Sequence, residues 1–154
     1  MNKETKEGRY QRLIIQLEDL LQKSEDPVAQ MATVVALLYH KMEGFFWCGF
    51  YRLLDGELTV GPYQGPLACQ VLQKNTGVCW AGIQTQGVVL VPNVHEFPGH
   101  IACDSRSKSE VVVPVKDRKG HIIGVLDIDS DQYNTFDEVD ASYLEKIVSL
   151  VRIP

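Results

Sequence analysis

Residues 109–129 read SEVVVPVKDRKGHIIGVLDID, two runs rich in valine and isoleucine on either side of a polar tetrapeptide at residues 117–120. β-branched residues favour strands, and Asp, Lys and Gly favour turns, so the stretch predicts two strands joined by a short connection. Closer to the N-terminus, FFWCGFYRLL and ELTVGPYQG flank Asp55-Gly56, a dipeptide typical of a β-hairpin. The segment VVLVPNV, residues 88–94, predicts a further strand between the two hairpins.

Helical patterns surround these strands. Apolar residues within residues 10–21 recur at the i, i+3, i+4, i+7 spacing of an amphipathic helix. A polar cap followed by proline predicts a second helix over residues 24–42, and VCWAGIQTQ at residues 78–86 predicts a short one. The last helix is expected to begin at a capping box formed by the Thr and Glu of residues 135–138. This order predicts an α+β fold with a mostly antiparallel sheet, and we expect residues 1–154 to form a single domain.

Composition narrows the possible partners. The chain has 154 residues and a net charge of −5, from 15 basic and 20 acidic residues. The basic residues are scattered, so no nucleic acid partner is expected. Every apolar stretch is interrupted before it reaches the length of a membrane span, and the N-terminus lacks the apolar run of a secretory signal. Four cysteines in such a chain indicate a reducing compartment, and we expect a cytoplasmic protein with no membrane contact.

The segment HEFPGHIACDSRSKS, residues 95–109, lacks any periodicity and predicts a long ordered loop. Loops of this length inside a compact domain tend to be functional. Cys103 lies on this loop, outside regular secondary structure, and we expect it to be a nucleophile. Nearby positive charge lowers the pKa of a thiol, and the side chains that can supply it are His95, His100 and Arg106.

Two other cysteines, Cys69 and Cys79, also lie in irregular or loop-adjacent segments. A thiolate that becomes a sulfenic acid needs a second thiol to form a disulfide, and either cysteine can supply it. Cys48, in contrast, lies in the middle of a predicted strand, where a small buried hydrophobe is the favoured interpretation. The residues alone leave open which thiol partners Cys103.

Acidic and aromatic residues occupy the predicted strands. Asp127 and Asp129 are two residues apart and therefore point to one face, and Glu110 heads the neighbouring strand. Clustered carboxyl groups repel, so one of them can keep its proton and donate it to a leaving oxygen. Trp47 and Tyr51 share a face of the first strand and can wall an apolar pocket. The alternative is structural: solvated strand ends for the acids and core packing for the aromatic rings.

Metal binding is the main chemical alternative. A zinc site has four possible ligands in this region, another cysteine with His95, His100 and Cys103, although the chain has no Cys-x-x-Cys spacing. Acidic residues also match an EF-hand calcium loop at Asp127, Asp129, Asp131 and Glu138. Gln132 stands where that loop needs glycine, and a predicted strand enters it, so we expect no metal.

The chain resembles one family, the free methionine-(R)-sulfoxide reductases, which are standalone GAF domains. The similarity covers residues 45–130 and is carried by WCGFY, GPYQGPLAC, GVC, VPNVHEFPGHIACDSRSKSE and IGVLDIDS. Its three cysteines keep the family's spacings of 10 and 24 residues. The resemblance implies a GAF-type, six-stranded, mostly antiparallel sheet with helices on its faces. It also implies thiol-dependent reduction of free L-methionine-(R)-sulfoxide to L-methionine, through a cysteine sulfenic acid and an intramolecular disulfide.

The same resemblance assigns roles to matching residues. Cys103 resembles the catalytic cysteine that attacks the sulfoxide sulfur, Cys69 the resolving cysteine, and Cys79 a third, auxiliary cysteine. The acids around the sulfoxide oxygen are matched by Glu110, Asp127 and Asp129, and the aromatic walls around the substrate's methyl end by Trp47 and Tyr51. Two positions depart from the family: Trp80 replaces a small residue, and Cys48 a small aliphatic one.

The resemblance further implies thioredoxin as electron donor, with thioredoxin reductase and NADPH, no bound cofactor, and a homodimer. A non-catalytic GAF module that senses a small ligand is the alternative. Sensor modules usually accompany an output domain, and the limits of this chain favour the enzyme.

Overall fold

The computed structural model describes residues 1–100 and 103–154. Its helices and strands follow the order α1 (Lys3–Leu20), α2 (Pro27–Lys41), β1 (Trp47–Leu54), β2 (Glu57–Gln64), α3 (Gly77–Thr85), β3 (Val89–Val91), β4 (Ser109–Lys116), β5 (Ile122–Ser130) and α4 (Glu138–Ser149). The predicted helices and both predicted hairpins are therefore present. Among the described residues, no helix has both the length and the apolar character that crossing a membrane requires.

The strands form one antiparallel sheet in the order β2-β1-β5-β4-β3. The expected α+β arrangement is confirmed, but the expected six strands are wrong, because the sheet formed by the described residues has five. After β2 the chain makes an isolated bridge between Thr59 and Val71. Pro66 has no amide hydrogen for a strand ladder, and Cys69 is bonded to Cys103 of a different loop. Both features disfavour a regular strand in this segment.

Side chains of the three central strands alternate between two apolar clusters, one on each face of the sheet, as the period of two requires. The larger cluster, which we call the core face, also contains α1, α2 and α4, and its strand residues include Cys48, Phe50, Val111, Val113, Leu126 and Ile128. The smaller cluster, which we call the pocket face, includes residues of α3 with Trp47, Tyr51, Val112 and Val125. Cys48 is fully buried on the core face, which confirms its interpretation as a packed hydrophobe.

The start of α4 differs from the predicted capping box. Its N-cap is Asp137, whose carboxylate accepts the backbone N–H of Val139 at 2.9 Å, while the Asp140 side chain accepts that of Asp137 at 2.9 Å. Asp140 is buried and also accepts hydrogen bonds from Lys6 and Tyr10 of α1, each at 2.6 Å. The register of the cap is therefore set by contact with α1, which the local sequence does not reveal.

Candidate functional site

A cavity of about 310 Å³ opens on the pocket face, between β1, β4, β5, the start of α3 and the loop that carries Cys103. This volume is at the small end of the range for ligand pockets, roughly 300–1,000 Å³. The site residues predicted from the sequence all line it: Trp47, Tyr51, Cys69, Cys79, Cys103, Glu110, Asp127 and Asp129. The fold thus brings together side chains that are up to 82 positions apart in the sequence, from Trp47 to Asp129.

Strand pairing places the three acids side by side. Glu110 of β4 is directly opposite Asp129 of β5. Asp127 lies two residues before Asp129 on β5 and points to the same face. On the other side of β5, the residue paired with Asp127 is Gly49. A Cβ atom at Gly49 would lie 2.5 Å from the Trp47 ring, so glycine lets that ring extend along the sheet beside the acids. Gly49 lies within the WCGFY segment, but the reason for a glycine there needed the structure.

Burial raises the pKa values of these three acids. Glu110 and Asp127 are buried, and Asp129 is half-buried. Burial raises the pKa of Glu110 well above its ordinary value, and the charge of Asp127 raises it further. The pKa of Asp129 is also raised well above normal by burial and then by Asp127. Burial raises the pKa of Asp127 as well, but hydrogen bonds from Glu110 and Cys79 oppose that rise. Asp127 is therefore the group of the three that ionises most easily, and Glu110 and Asp129 bind their protons more tightly.

Cys79 lies on α3 against the floor of the cavity. Gly82 lets this helix approach closely, because a Cβ atom there would lie 2.7 Å from Cγ1 of Val112. Burial, followed by the charge of Asp127, raises the pKa of Cys79 well above its ordinary value, so the group is a thiol. Its sulfur lies within 4.8 Å of a carboxyl oxygen of Asp127.

A disulfide joins Cys69 to Cys103 at the mouth of the cavity, with 5.6 Å between their Cα atoms and a separation of 34 positions in sequence. The two cysteines left free are Cys48 and Cys79. The hydroxyl of Tyr51 donates a hydrogen bond to the carbonyl oxygen of Cys69 at 2.9 Å. Tyr51 therefore connects the aromatic wall with the segment that carries Cys69.

Three aromatic rings stack on one another beside the cavity, and two of them, Trp47 and Tyr51, line it. The rings of Trp47 and Tyr51 are stacked with their centroids 5.8 Å apart, and Tyr63 stacks on the other side of Trp47 at 5.3 Å. Sequence reasoning singled out the first two and missed Tyr63. Its position on β2, two strands from the acids, gave no local signal of contact with the site.

The loop after Cys103 is held by a pair of charged side chains. The Arg106 guanidinium donates two hydrogen bonds to Asp104, at 2.9 and 2.7 Å, and packs over the Phe46 ring at 4.7 Å. These hydrogen bonds lower the pKa of Asp104 to about 2. Phe46 and Asp104 line the cavity, and the sequence reasoning had given neither a role.

The basic side chains expected to favour the Cys103 thiolate, His95, His100 and Arg106, interact with other groups. The charge of Arg106 is paired with Asp104. Burial lowers the pKa of His100, so its imidazole is neutral at neutral pH; Nδ1 lies 4.0 Å from Oε1 of Glu110. His95 is exposed and packs edge-on against Tyr133.

Metal ligation fits the described residues poorly. The group of possible ligands that lie within 4.8 Å of one another is Cys79, Glu110 and Asp127. Neutral acids and a thiol can lie this close to one another without an ion, because burial raises the pKa values of Cys79, Glu110 and Asp127. The zinc set expected as an alternative is different, and its Cys103 is bonded to Cys69. Of the calcium set, Asp131 is exposed on the connection to α4 and Glu138 is exposed in the first turn of α4, and neither is among the residues that line the cavity.

Comparisons with known proteins show the family to which the chain is similar. A family model described as GAF domain matches residues 25–153. GAF domain-containing protein A of Dictyostelium discoideum is 45% identical over 152 residues, which cover 98% of this chain and 95% of that protein. Free methionine-R-sulfoxide reductase of Saccharomyces cerevisiae is 37% identical over 153 residues, covering 95% of this chain and 85% of that protein.

A crystal structure of free methionine-R-sulfoxide reductase from Neisseria meningitidis, in complex with its substrate, superposes with a TM-score of 0.86 at 41% identity. The superposition covers 92% of this chain and 85% of that one. The similarity to the relative and to the solved structure extends over nearly the whole length of this chain. The chain belongs to the free methionine-R-sulfoxide reductase family of GAF domain proteins.

Proposed function

We propose that this protein reduces free L-methionine-(R)-sulfoxide to L-methionine, with Cys103 as nucleophile and Cys69 as resolving thiol. The observation that carries the proposal is the Cys69–Cys103 disulfide at the mouth of a cavity that is also lined by buried carboxyl groups, whose pKa values burial raises. The disulfide is the oxidised product that such a reaction leaves on the enzyme. The acids supply the proton that the departing oxygen needs.

The chemistry balances in two steps. The thiolate of Cys103 attacks the sulfoxide sulfur, the S–O bond breaks as the oxygen is protonated, and the oxygen passes to Cys103 as a sulfenic acid while methionine leaves. The thiol of Cys69 then attacks the Cys103 sulfur, and the sulfenic oxygen leaves as water. In total, one sulfoxide and two thiols give one thioether, one disulfide and one water.

The buried acids explain why the first step needs this site. A sulfoxide oxygen cannot leave as a dianion, so a neutral acid must be within reach of it. Glu110 and Asp129 are neutral because burial and the charge of Asp127 raise their pKa values. We assign proton donation to Glu110, the more buried of the two, and assign the anionic partner role to Asp127. The stacked rings of Trp47 and Tyr51 are suited to hold the methyl end of the substrate.

Turnover requires an external dithiol, and thioredoxin with its reductase and NADPH is our proposed donor. Thiol–disulfide exchange of this kind needs a reducing compartment, which favours a cytoplasmic enzyme. We further propose that residues 1–154 act as one domain, since Lys6 and Tyr10 of α1 bind Asp140 within the family match. A homodimer is part of the same proposal and is tested by sedimentation.

A coupled assay tests the function. NADPH oxidation is followed with thioredoxin, thioredoxin reductase and either free R sulfoxide, free S sulfoxide or a peptide-bound sulfoxide. We expect turnover with the free R form, and its loss in Cys103→Ser. Consumption that survives Cys103→Ser would contradict the nucleophile, and binding of the sulfoxide without NADPH oxidation would favour a sensor module instead.

A further inference from the structure

We propose that Cys79 is a positioning residue whose thiol hydrogen-bonds to Asp127 and keeps that carboxylate ionised, so that Glu110 remains the proton donor. The inference deepens the proposed function and rests on it. It assigns Cys79 a role different from that of a third thiol in the disulfide relay. The geometry behind it is the cluster of Cys79, Glu110 and Asp127, whose sulfur and oxygen atoms lie within 4.8 Å of one another.

The surroundings of Asp127 contain few groups that can stabilise a negative charge. Tyr51 and Cys48 of β1 are uncharged, because burial raises the pKa of both. Glu110 of β4 and Asp129 of β5 are neutral acids, and Asp104 on the Cys103 loop is an anion paired with Arg106. His100 is the imidazole near Glu110, and burial keeps it neutral.

Among the described residues, the two groups that favour the ionised form of Asp127 are therefore hydrogen-bond donors, Glu110 and Cys79. Oδ1 of Asp127 is buried and has no hydrogen-bond partner of ordinary geometry among these residues, so the carboxyl group depends on the nearby Cys79 thiol and Glu110 for a donor. A buried carboxylate with so few donors depends strongly on each of them. Loss of the Cys79 donor would let Asp127 bind a proton more easily.

The position of Cys79 suits this role better than a relay. In the oxidised structure Cys69 and Cys103 are bonded to each other, and Cys79 stays a buried thiol with a raised pKa. A thiol with a raised pKa is a poor nucleophile for disulfide exchange but keeps the hydrogen that it donates. The close packing of α3 at Gly82 fixes the distance from Cys79 to the acids.

The test compares Cys79→Ala, which removes the donor, with Cys79→Ser, which keeps one. Turnover number and KM are measured against pH with saturating thioredoxin. In Cys79→Ala, the singly ionised acid cluster loses stabilisation relative to its fully protonated form, so the acidic limb of the kcat profile moves to higher pH. Since a thiol is a weak donor, we expect a shift of about one pH unit, or roughly tenfold in kcat below the limb. Cys79→Ser is expected to keep the wild-type limb.

Two other patterns would overturn the proposal. An equal loss of turnover in both variants at every pH would identify Cys79 as a relay thiol. Unshifted profiles in both variants would leave it a packing residue.

A measurement that does not need turnover separates this proposal from the proposed function. In the oxidised protein the free thiols are Cys48 and Cys79, so subtracting the infrared spectrum of Cys79→Ala isolates the S–H stretching band of Cys79. A hydrogen bond to a carboxylate lowers the frequency of this band, and Asp127→Asn is expected to raise it. A band at the position of an unbonded thiol, unchanged in Asp127→Asn, would refute the hydrogen bond even in a fully active enzyme.

Discussion

The core face and the pocket face are made by the same strands, and they differ in what alternate residues bury. On β5, Leu126 and Ile128 are fully buried among hydrocarbon on the core face, whereas Asp127 and Asp129 point to the cavity. Burial of an apolar side chain stabilises the fold, while burial of a carboxyl group costs free energy and is relieved by protonation. One strand therefore supplies stability on one face and proton-donating groups on the other.

The largest effect is expected from Glu110→Gln on the pocket face. The amide keeps a donor for Asp127 but cannot release a proton, so kcat should fall by about 10²–10⁴-fold. The folded state should be at least as stable as wild type, because a buried acid is removed. The coupled assay gives the rate, and urea unfolding gives the free energy of unfolding.

Glu145→Gln is the matched control for Glu110→Gln. Glu145 is exposed on α4, and its substitution should change neither quantity. If Glu110→Gln kept more than a tenth of the wild-type rate, another acid would have to be the proton donor.

The opposite result is expected from Ile128→Ala on the core face. This change removes a fully buried side chain and should lower the free energy of unfolding by about 2–5 kcal/mol. Because Ile128 points away from the cavity, kcat per folded molecule should stay near wild type. Unfolding curves and the assay at low temperature check both quantities, and a collapse of kcat in folded protein would show that the two faces are coupled.

The pH dependence of stability should separate the two faces as well. Glu110 has a raised pKa in the folded state, so between its ordinary value and the raised value the folded protein binds more protons than the unfolded chain. Stability contributed by the protonated group is present at low pH and is lost as the pH rises, by up to about 1.4 kcal/mol per pH unit. Urea unfolding of the oxidised protein from about pH 5 to 8 should therefore show Glu110→Gln gaining stability over wild type with rising pH. A constant difference would mean that Glu110 binds no more protons in the folded protein than in the unfolded chain, so that its pKa is not raised.

The sequence anticipated the parts of the site that depend on local periodicity. The alternation of β5 predicted that Asp127 and Asp129 share a face, and the hairpin with β4 brought Glu110 opposite Asp129. The loop without periodicity carries Cys103, which lines the cavity and is bonded to Cys69. Each of these inferences needed only the period of a strand or the absence of one.

The parts that the sequence did not reveal depend on contacts between distant segments. Tyr63 reaches the site by stacking on Trp47, and the cap of α4 is displaced by the contacts of Asp140 with α1. The predicted number of strands was wrong for the same reason. The residues near Val71 make one bridge to β2 and do not extend the sheet. This outcome depends on a few backbone hydrogen bonds and on the disulfide of Cys69, which the local sequence does not reveal.

The smallest effect is expected from Cys48→Ala, which makes the same chemical change as Cys79→Ala on the opposite face. Cys48 is fully buried on the core face, so removing its sulfur should leave a small cavity and cost about 1 kcal/mol of stability. Its kcat profile against pH should match wild type, because the sulfur donates no hydrogen bond to the acid cluster. Thermal unfolding and the coupled assay measure both. Lost turnover at unchanged stability would mean that a thiol of the core face takes part in the reaction. The core face and the pocket face would then not have separate roles in stability and catalysis.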